Sequence, residues 1–464
     1  MGPTYRGKEE DTYAGRVGNC QSETFHIYSG HTIGHPRTRS KPSMGNWELI
    51  RACIGLLAFV GFAWLLSERK RGFPYRPILV GLLCQVVLGL ILTRIPAITQ
   101  ALGVLAHAVD AVQASAVDGA AFVFGYLAGG AQPFEISHPH GDRIFIFAFQ
   151  ALPALLLVSA LAALLWHWNV LRILVRVSGR VFGRLFGVSG PVGVSTSACI
   201  FLGMVEAPML VRPLVPQMSR GDLFILMVHG MSVIAGSMMI VLASVLASRM
   251  PDAFSHLLIA SLISTPLAIG MARAIVPSDP AMAAQPLELH NEYKSSLDAL
   301  TSGTLKAVRM VVNIAALLIV FVGMVALVDR FLGWLPHTGA PLTLATLFGW
   351  LFSPIAWLMG IPLPDLQEAG TLLGTKIAFN EVVAYVQLAG MPQGAMTDKS
   401  TLMMTYALCS FGNIGSVAIL IGTLTSLAPE KAGVVVRLGF KALAAAFLTS
   451  CTTATVIGIL HSLI

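Results

Sequence analysis

Long unbroken apolar runs constrain this chain more than any other feature. The windows 49–66, 76–95, 145–166, 222–247, 254–275, 310–328, 402–427 and 434–460 carry no more than two charged residues each. Each reaches the roughly 18 to 20 residues that cross a bilayer as a helix. In lipid every backbone N–H and C=O must be paired inside the protein, so such runs form helices rather than open strands. Charged residues make up 11% of the chain, against roughly 25% in soluble domains. A transmembrane barrel would show alternation in strands of about ten residues, and these runs do not alternate. The fold class that follows is an all-α polytopic membrane protein with about eight transmembrane helices.

The net charge of +7 calls for no nucleic-acid partner. The basic residues fall between spans, where Lys and Arg hold loops on the cytoplasmic side. They lie in "SERKRGFPYR" (67–76), in the series Arg172, Arg176, Arg180 and Arg184, and between Lys431 and Lys441. The four-residue period of the arginines puts them on one face of a helix lying at the membrane surface. With all of these loops cytoplasmic, the first span enters from outside and the last ends outside.

Residues 1–43 read differently: polar, aperiodic and poor in aliphatic residues. A basic leader outside the cell conflicts with the loop topology, so Met44 is read as the natural start and the leader as non-native or disordered. The remaining divisions are scaffold helices over 44–140, a first repeat over 141–275 and a second over 276–464. Of the six cysteines, Cys20, Cys53, Cys84, Cys199, Cys409 and Cys451, none has disulfide or zinc spacing. They read as small buried hydrophobes, and no cofactor or metal is implied.

The two repeats are visible as a recurring pattern. In "GMVEAP" Glu206 sits in an apolar stretch, and about thirty residues later comes "VIAGSMMI" with Gly236 and Ser237. In "FNEVVAY" Glu381 sits likewise, followed at about the same distance by "GNIGSVAI" with Gly415 and Ser416. Around Glu206, residues 189–217 hold Gly190, Pro191, Gly193, Gly203, Pro208, Pro213 and Pro216, and around Glu381 the stretch 370–394 holds glycines with Lys376 and Asn380. Proline removes a helix donor and glycine weakens a helix, so both segments should break at mid-depth into re-entrant hairpins, near 189–217 and 366–394. Backbone of that kind is tolerated only where it lines a cavity. If the arginine helix is cytoplasmic the hairpins enter from opposite sides. An inverted repeat with paired broken segments is the pattern of a secondary transporter, with its substrate where the repeats meet.

A carboxylate at mid-bilayer costs about 2.5–3.5 kcal/mol, so Glu206 and Glu381 are functional candidates. The bland alternative pairs Glu381 with Lys376, and Glu206 with Arg212, as internal ion pairs. Asn413 and Ser416 are three apart and share a helix face. His229 reads as structural. No nucleophile motif, metal spacing or HExxH accompanies the acids, which argues against an enzyme.

These motifs resemble the concentrative nucleoside transporter family. "GTKIAFNEVVAY" is similar to that family's Gly-x-Lys-x-x-x-Asn-Glu-Phe-Val-Ala-Tyr run, and "FAFQALPALLLVSAL" (147–161), "GMVEAPMLVRP" (203–213), "SPIAWLMGIP" (353–362) and "ALCSFGNIGSVAI" (407–419) follow in the family's order. The resemblance spans roughly residues 46–460. It implies a homotrimer in a bacterial inner membrane, each protomer importing a nucleoside down a cation gradient. Its scaffold is eight spans, two opposed re-entrant hairpins and interfacial helices. Carried over position by position, the ribose contacts fall on Glu381, Asn413 and Ser416, and an aromatic near the ligand falls on Phe411. A site built around hydroxyls rejects analogues that lack them.

The base side departs from the family pattern: Gly-Gln-Thr-Glu-Ala-Pro is here Gly203-Met204-Val205-Glu206-Ala207-Pro208, which leaves Glu206 as the polar residue. Met238 takes another base-facing position. The sodium side departs as well. Its ligand positions fall on Cys199, Leu202, Val233 and Ile234, where a thiol and an isopropyl group replace hard oxygen donors. Proton coupling is then the simplest driver, carried by Glu381 or by Glu206, with Glu381 favoured because it would link the proton to sugar binding. The alternative is a facilitator or sensor for a modified nucleoside or another glycosylated compound, without ion coupling.

Overall fold

Because each apolar run must satisfy its own backbone, the runs settle into helices, and the described residues contain no strand. The computed structural model describes residues 46–131, 133, 146–277, 291–334 and 342–462. The leader reading falls outside the described residues. The chain begins with α1 (Asn46–Leu66), α2 (Tyr75–Arg94) and α3 (Pro96–Phe124). It continues through α4 (Phe147–Gln150), α5 (Ala154–His167), α6 (Val170–Phe186), α7 (Gly190–Leu202) and α8 (Glu206–Met209). After a 3-10 turn (Arg212–Gln217) come α9 (Arg220–Ser232), α10 (Gly236–Leu246) and α11 (Ala253–Ile275). The last third holds α12 (Ser296–Gly333), α13 (Leu344–Leu358), α14 (Leu366–Ala378), α15 (Glu381–Gly390), α16 (Asp398–Leu408), α17 (Ile414–Leu427) and α18 (Ala432–Ser462).

Eight helical segments among the described residues are long and apolar enough to cross a membrane. They are not the eight expected. Pro96–Ala128 qualifies although hydropathy alone does not mark it: His107, Asp110 and Asp118 interrupt the run, and its most apolar window reaches a mean hydropathy of only 1.3. The run 402–427 is not one span. It divides into α16 and α17 around the unwound stretch Cys409–Asn413. Asn413 restarts the helix as its N-cap, accepting from the Ser416 N–H at 2.8 Å. The run 222–247 divides in the same way, into α9 and α10 around Val233–Ala235.

The internal repeat is explicit in element order. The series α5, α6, α7, α8 with its 3-10 turn, α9/α10 and α11 recurs as α12, α13, α14, α15, α16/α17 and α18. Matching elements are built alike. Each broken helix opens on a hydroxyl cap, Ser219 for α9 and Thr397 for α16. Each repeat also has a glycine crossing. A Cβ on Gly193 of α7 would lie 2.6 Å from the Gly179 carbonyl oxygen of α6, and one on Gly370 of α14 would lie 2.5 Å from that of Gly349 on α13. Only glycine permits backbones that close. The repeats join at the centre, where Ser264 of α11 and Thr453 of α18 are hydrogen-bonded at 3.0 Å and Gln85 of α2 donates to Thr453 at 2.7 Å.

Burial separates centre from periphery. Arg220–Leu246, Ala253–Ile275 and Pro429–Ser462 are 89%, 83% and 83% buried over their apolar windows, against 6% for Ser296–Gly333. The broken helix α9/α10 therefore lies inside, where irregular backbone can be satisfied by protein, while α12 faces outward with its apolar side chains. Cys199, Cys409 and Cys451 are buried as expected, whereas Cys53 is exposed on α1.

Candidate functional site

The tip of the α14–α15 unit and the break in α16/α17 meet. Asn380 caps α15, its Oδ1 accepting from the Val383 N–H at 2.9 Å, and this sets Glu381 at the first position of the helix. Asn413 caps α17 in the same way and still has its amide N–H to give: Nδ2 donates to Glu381 Oε2 at 3.0 Å. Ser416 stands one turn into α17. Glu381, Asn413 and Ser416 are each 4% exposed. Two helix N-termini thus point partial positive charge at a place holding a carboxylate, an amide and a hydroxyl. Such a set can donate to and accept from vicinal hydroxyls.

The bland alternative, a Lys376–Glu381 ion pair, is not formed among the described residues. Lys376 is fully buried, and Nζ donates to the Ala407 carbonyl at 2.6 Å, at the C-terminus of α16. A cation there meets the negative end of the helix. Tyr385, also fully buried, donates to the Thr405 carbonyl at 2.5 Å. Breaking a helix leaves its last carbonyls without partners, and here the hairpin supplies partners for two of them. Lys376 stands close to Glu381 in sequence, but its partner is a main-chain carbonyl. Tyr385 stood in the quoted motif without a role; a polar tip in an apolar helix opposite a broken one is the signal that could have found it.

The break is buttressed from behind. Ser450 of α18 donates to Ser410 at 2.9 Å, and Cys409 Sγ donates to the Leu257 carbonyl of α11 at 3.4 Å. Phe411, half-buried, reaches the other break through its backbone: its N–H donates to the Val233 carbonyl at 3.3 Å. The breaks of the two repeats therefore touch.

On the first hairpin, Gly203 ends α7 with φ of 105°, a conformation that disfavours side chains, and a Cβ there would lie 3.3 Å from Glu206 Oε2. Glu206 is exposed, at the first position of the short helix α8. The alternative Glu206–Arg212 pair is likewise absent among the described residues. Met204 and Met238 are buried and Val205 is half-buried. The helix carrying Met238, α10, packs against α15 and α7. Leu202 is half-buried, while Cys199, Val233 and Ile234 are buried. A Cβ on Gly236 would lie 3.4 Å from the Phe201 carbonyl oxygen, so the end of α7 abuts the start of α10. Cys199 lines a small cavity with Ser195 and Thr196 of the same helix and with Met204 and His229. His229 fits its structural reading: it is buried, with Nε2 at 3.1 Å from Thr265 Oγ1.

A fold of paired broken helices around a polar, buried centre defines a membrane transporter built as an inverted repeat. Family models described as Na+ dependent nucleoside transporter N-terminus, nucleoside recognition, and Na+ dependent nucleoside transporter C-terminus match residues 54–127, 148–249 and 256–458. A putative nucleoside permease NupX of Escherichia coli is 32% identical, over 89% of this chain and 98% of that protein. A nucleoside permease NupC of Helicobacter pylori is 30% identical, over 88% and 96%. The structure of CNTnw in an inward-facing substrate-bound state superimposes with a TM-score of 0.80 at 31% identity, covering 89% of this chain and 98% of that one. The chain belongs to the concentrative nucleoside transporter family.

Proposed function

We propose that this protein is a secondary active importer of nucleosides that binds the ribose with Glu381, Asn413 and Ser416 and is driven by protons rather than sodium. The observation that carries the ribose reading is the Asn413–Glu381 hydrogen bond at 3.0 Å, made in a buried place where no cation is paired with the carboxylate. Vicinal hydroxyls would insert between these groups, donating to the carboxylate and accepting from the amide. Phe411 would flank the ligand, while Glu206, Met204, Val205 and Met238 would face the base. An apolar base side favours loose selection among bases, because apolar contacts discriminate far less than lost hydrogen bonds do.

The driving ion is argued from the first hairpin. The family models are described by sodium dependence. Sodium wants oxygen donors, and this chain puts Cys199 and Val233 where side-chain oxygens would be needed. That leaves a carboxylate as the carrier, and Glu381 is the one in contact with the ribose-binding amide; Glu206 is the second candidate. The two repeats, over 141–275 and 276–464, would rock or slide around the site. Copies would associate as a trimer along outward apolar surface such as that of α12, in a bacterial inner membrane.

Calorimetric titration of the purified protein with uridine and with its dideoxy analogue tests the ribose assignment. Loss of the ribose hydroxyls should weaken binding at least a hundredfold. Equal affinities would show that the sugar hydroxyls are not what the site recognises.

A further inference from the structure

The surface helix α6 presents its side chains in separate rows, and one of them has no place in the transport reading. Leu171, Val175, Gly179 and Phe186 are buried, and Gly179 makes the close crossing with Gly193 of α7. Beside them runs an exposed apolar row: Ile173, Val177, Val181 and Leu185 are 55%, 49%, 54% and 50% exposed. Arg176, Arg180 and Arg184 form an exposed row one residue away from that one. The helix contains no acidic residue, and among the described residues none of these arginines is ion-paired. Arg180 and Arg184, with Val177, Val181 and Leu185, line an open hollow of about 520 Å³.

The repeat supplies a control within the same molecule. Its counterpart α13 packs on α14 through the equivalent glycine crossing. It also exposes apolar side chains, with Trp350 and Leu351 at 61% and 67%. Yet α13, "LATLFGWLFSPIAWL", has no charged residue at all. The arginines are therefore not demanded by packing on the hairpin, although they follow the cytoplasmic bias of Lys and Arg that the inverted α13 escapes. Lining up guanidinium groups one turn apart without counter-ions is costly unless an anion arrives, and guanidinium forks fit phosphate oxygens.

We propose that α6 is a binding site for anionic phospholipid: Arg176, Arg180 and Arg184 hold headgroup phosphates, and the acyl chains lie on Ile173, Val177, Val181 and Leu185. The adjoining apolar row is what selects a lipid over a soluble phosphate, since it stays exposed unless chains cover it. Occupancy reaches the transport machinery by two routes. The Gly179–Gly193 crossing fixes α7, whose far end carries Cys199 to Leu202. Arg273 of α11 donates to the Phe186 carbonyl at the end of α6. A lipid that pins α6 therefore steadies the first hairpin. This goes beyond the substrate and coupling assignments and does not depend on them.

The test is thermal unfolding of the purified full-length chain as phosphatidylglycerol is titrated into phosphatidylcholine. The midpoint should rise with phosphatidylglycerol in the native protein. In R180Q and in R184Q the half-saturating amount should be about fivefold higher, from roughly 1 kcal/mol per basic residue at an anionic surface. In R176Q/R180Q/R184Q it should be about a hundredfold higher, while R176K/R180K/R184K should keep most of the response. The single variants retain the reading if the triple variant does not fold. R69Q/R71Q, in the other basic loop, should titrate like the native protein. A midpoint indifferent to phosphatidylglycerol, or an equal loss in R69Q/R71Q, would overturn the site. An equal rise with glycerol phosphate in phosphatidylcholine would overturn the assignment to lipid.

Discussion

Asn413 Nδ2 donates to Glu381 Oε2 at 3.0 Å, which ties the tip of one re-entrant unit to the break in the helix that follows it. The same asparagine accepts from the Ser416 N–H at 2.8 Å and so also starts α17. One side chain thus serves folding with its oxygen and the site with its nitrogen. Asn413→Asp should separate these roles. It keeps the cap but turns the donor into an acceptor facing a carboxylate. Nucleoside affinity, read by calorimetry, should fall at least tenfold, the equivalent of losing a charge-assisted hydrogen bond of about 1.5–3 kcal/mol. Thermal stability should change less than in Asn413→Ala, which forfeits the cap as well, about 1 kcal/mol.

Restoring oxygen donors should restore sodium. The double substitution Cys199→Asn with Val233→Ser puts an amide oxygen and a hydroxyl where the thiol and isopropyl groups now stand. Uptake in proteoliposomes should become stimulated by an inward sodium gradient. Lithium or potassium in its place should leave uptake unstimulated. A double variant that binds nucleoside normally and stays indifferent to sodium would mean that these positions do not govern the ion.

Lys376→Ala should destabilise the protein without touching the ligand. It removes a charge-assisted bond to the Ala407 carbonyl near the end of α16, leaving that carbonyl without the lysine, and opens a cavity at a fully buried position. The cost should be about 3 kcal/mol, seen as a lowered unfolding midpoint in detergent. Lys376→Arg should not rescue it, because a planar fork cannot replace a compact ammonium in a sealed space.

The glycine crossings give a packing test with an internal reference. Gly193→Ala and Gly370→Ala each place a Cβ within 2.6 Å of a backbone oxygen across the crossing, so the helices must separate. Each should cost about 1–3 kcal/mol. Gly61→Ala, where a Cβ would meet nothing within 4 Å, should be neutral or stabilising by about 0.5–1 kcal/mol.

Much of this was legible in the chain because the membrane allows few solutions. Unbroken apolar runs could only be helices, and proline and glycine around Glu206 and Glu381 marked where helices stop. What hydropathy hides is a break with apolar residues on both sides. Cys409–Asn413 lies in such a run, so α16 and α17 read as one span until the capping role of Asn413 is known. The opposite error hid α3, whose His107, Asp110 and Asp118 dilute its apolar character. In the second hairpin the sequence marks Lys376, Asn380 and Glu381 as polar but not what Lys376 bonds to. Lys376 and Glu381 are near in sequence, and proximity offers an ion pair as the bland alternative to a ligand site. The carbonyls freed by the helix break compete for the lysine and take it. Partner choice depends on long-range contacts that periodicity does not report.

The central claim is that protons, acting through Glu381, drive nucleoside import. The most direct measurement is uptake of labelled uridine and adenosine into sodium-free proteoliposomes, at acid and neutral outside pH, with and without a protonophore, for the native protein and Glu381→Gln. The native protein should accumulate nucleoside at acid outside pH, lose that accumulation with the protonophore, and show neither effect once Glu381 is glutamine. Concentrative uptake by Glu381→Gln with the native pH profile would contradict the assignment, and native uptake that ignores both pH and protonophore would contradict proton coupling itself.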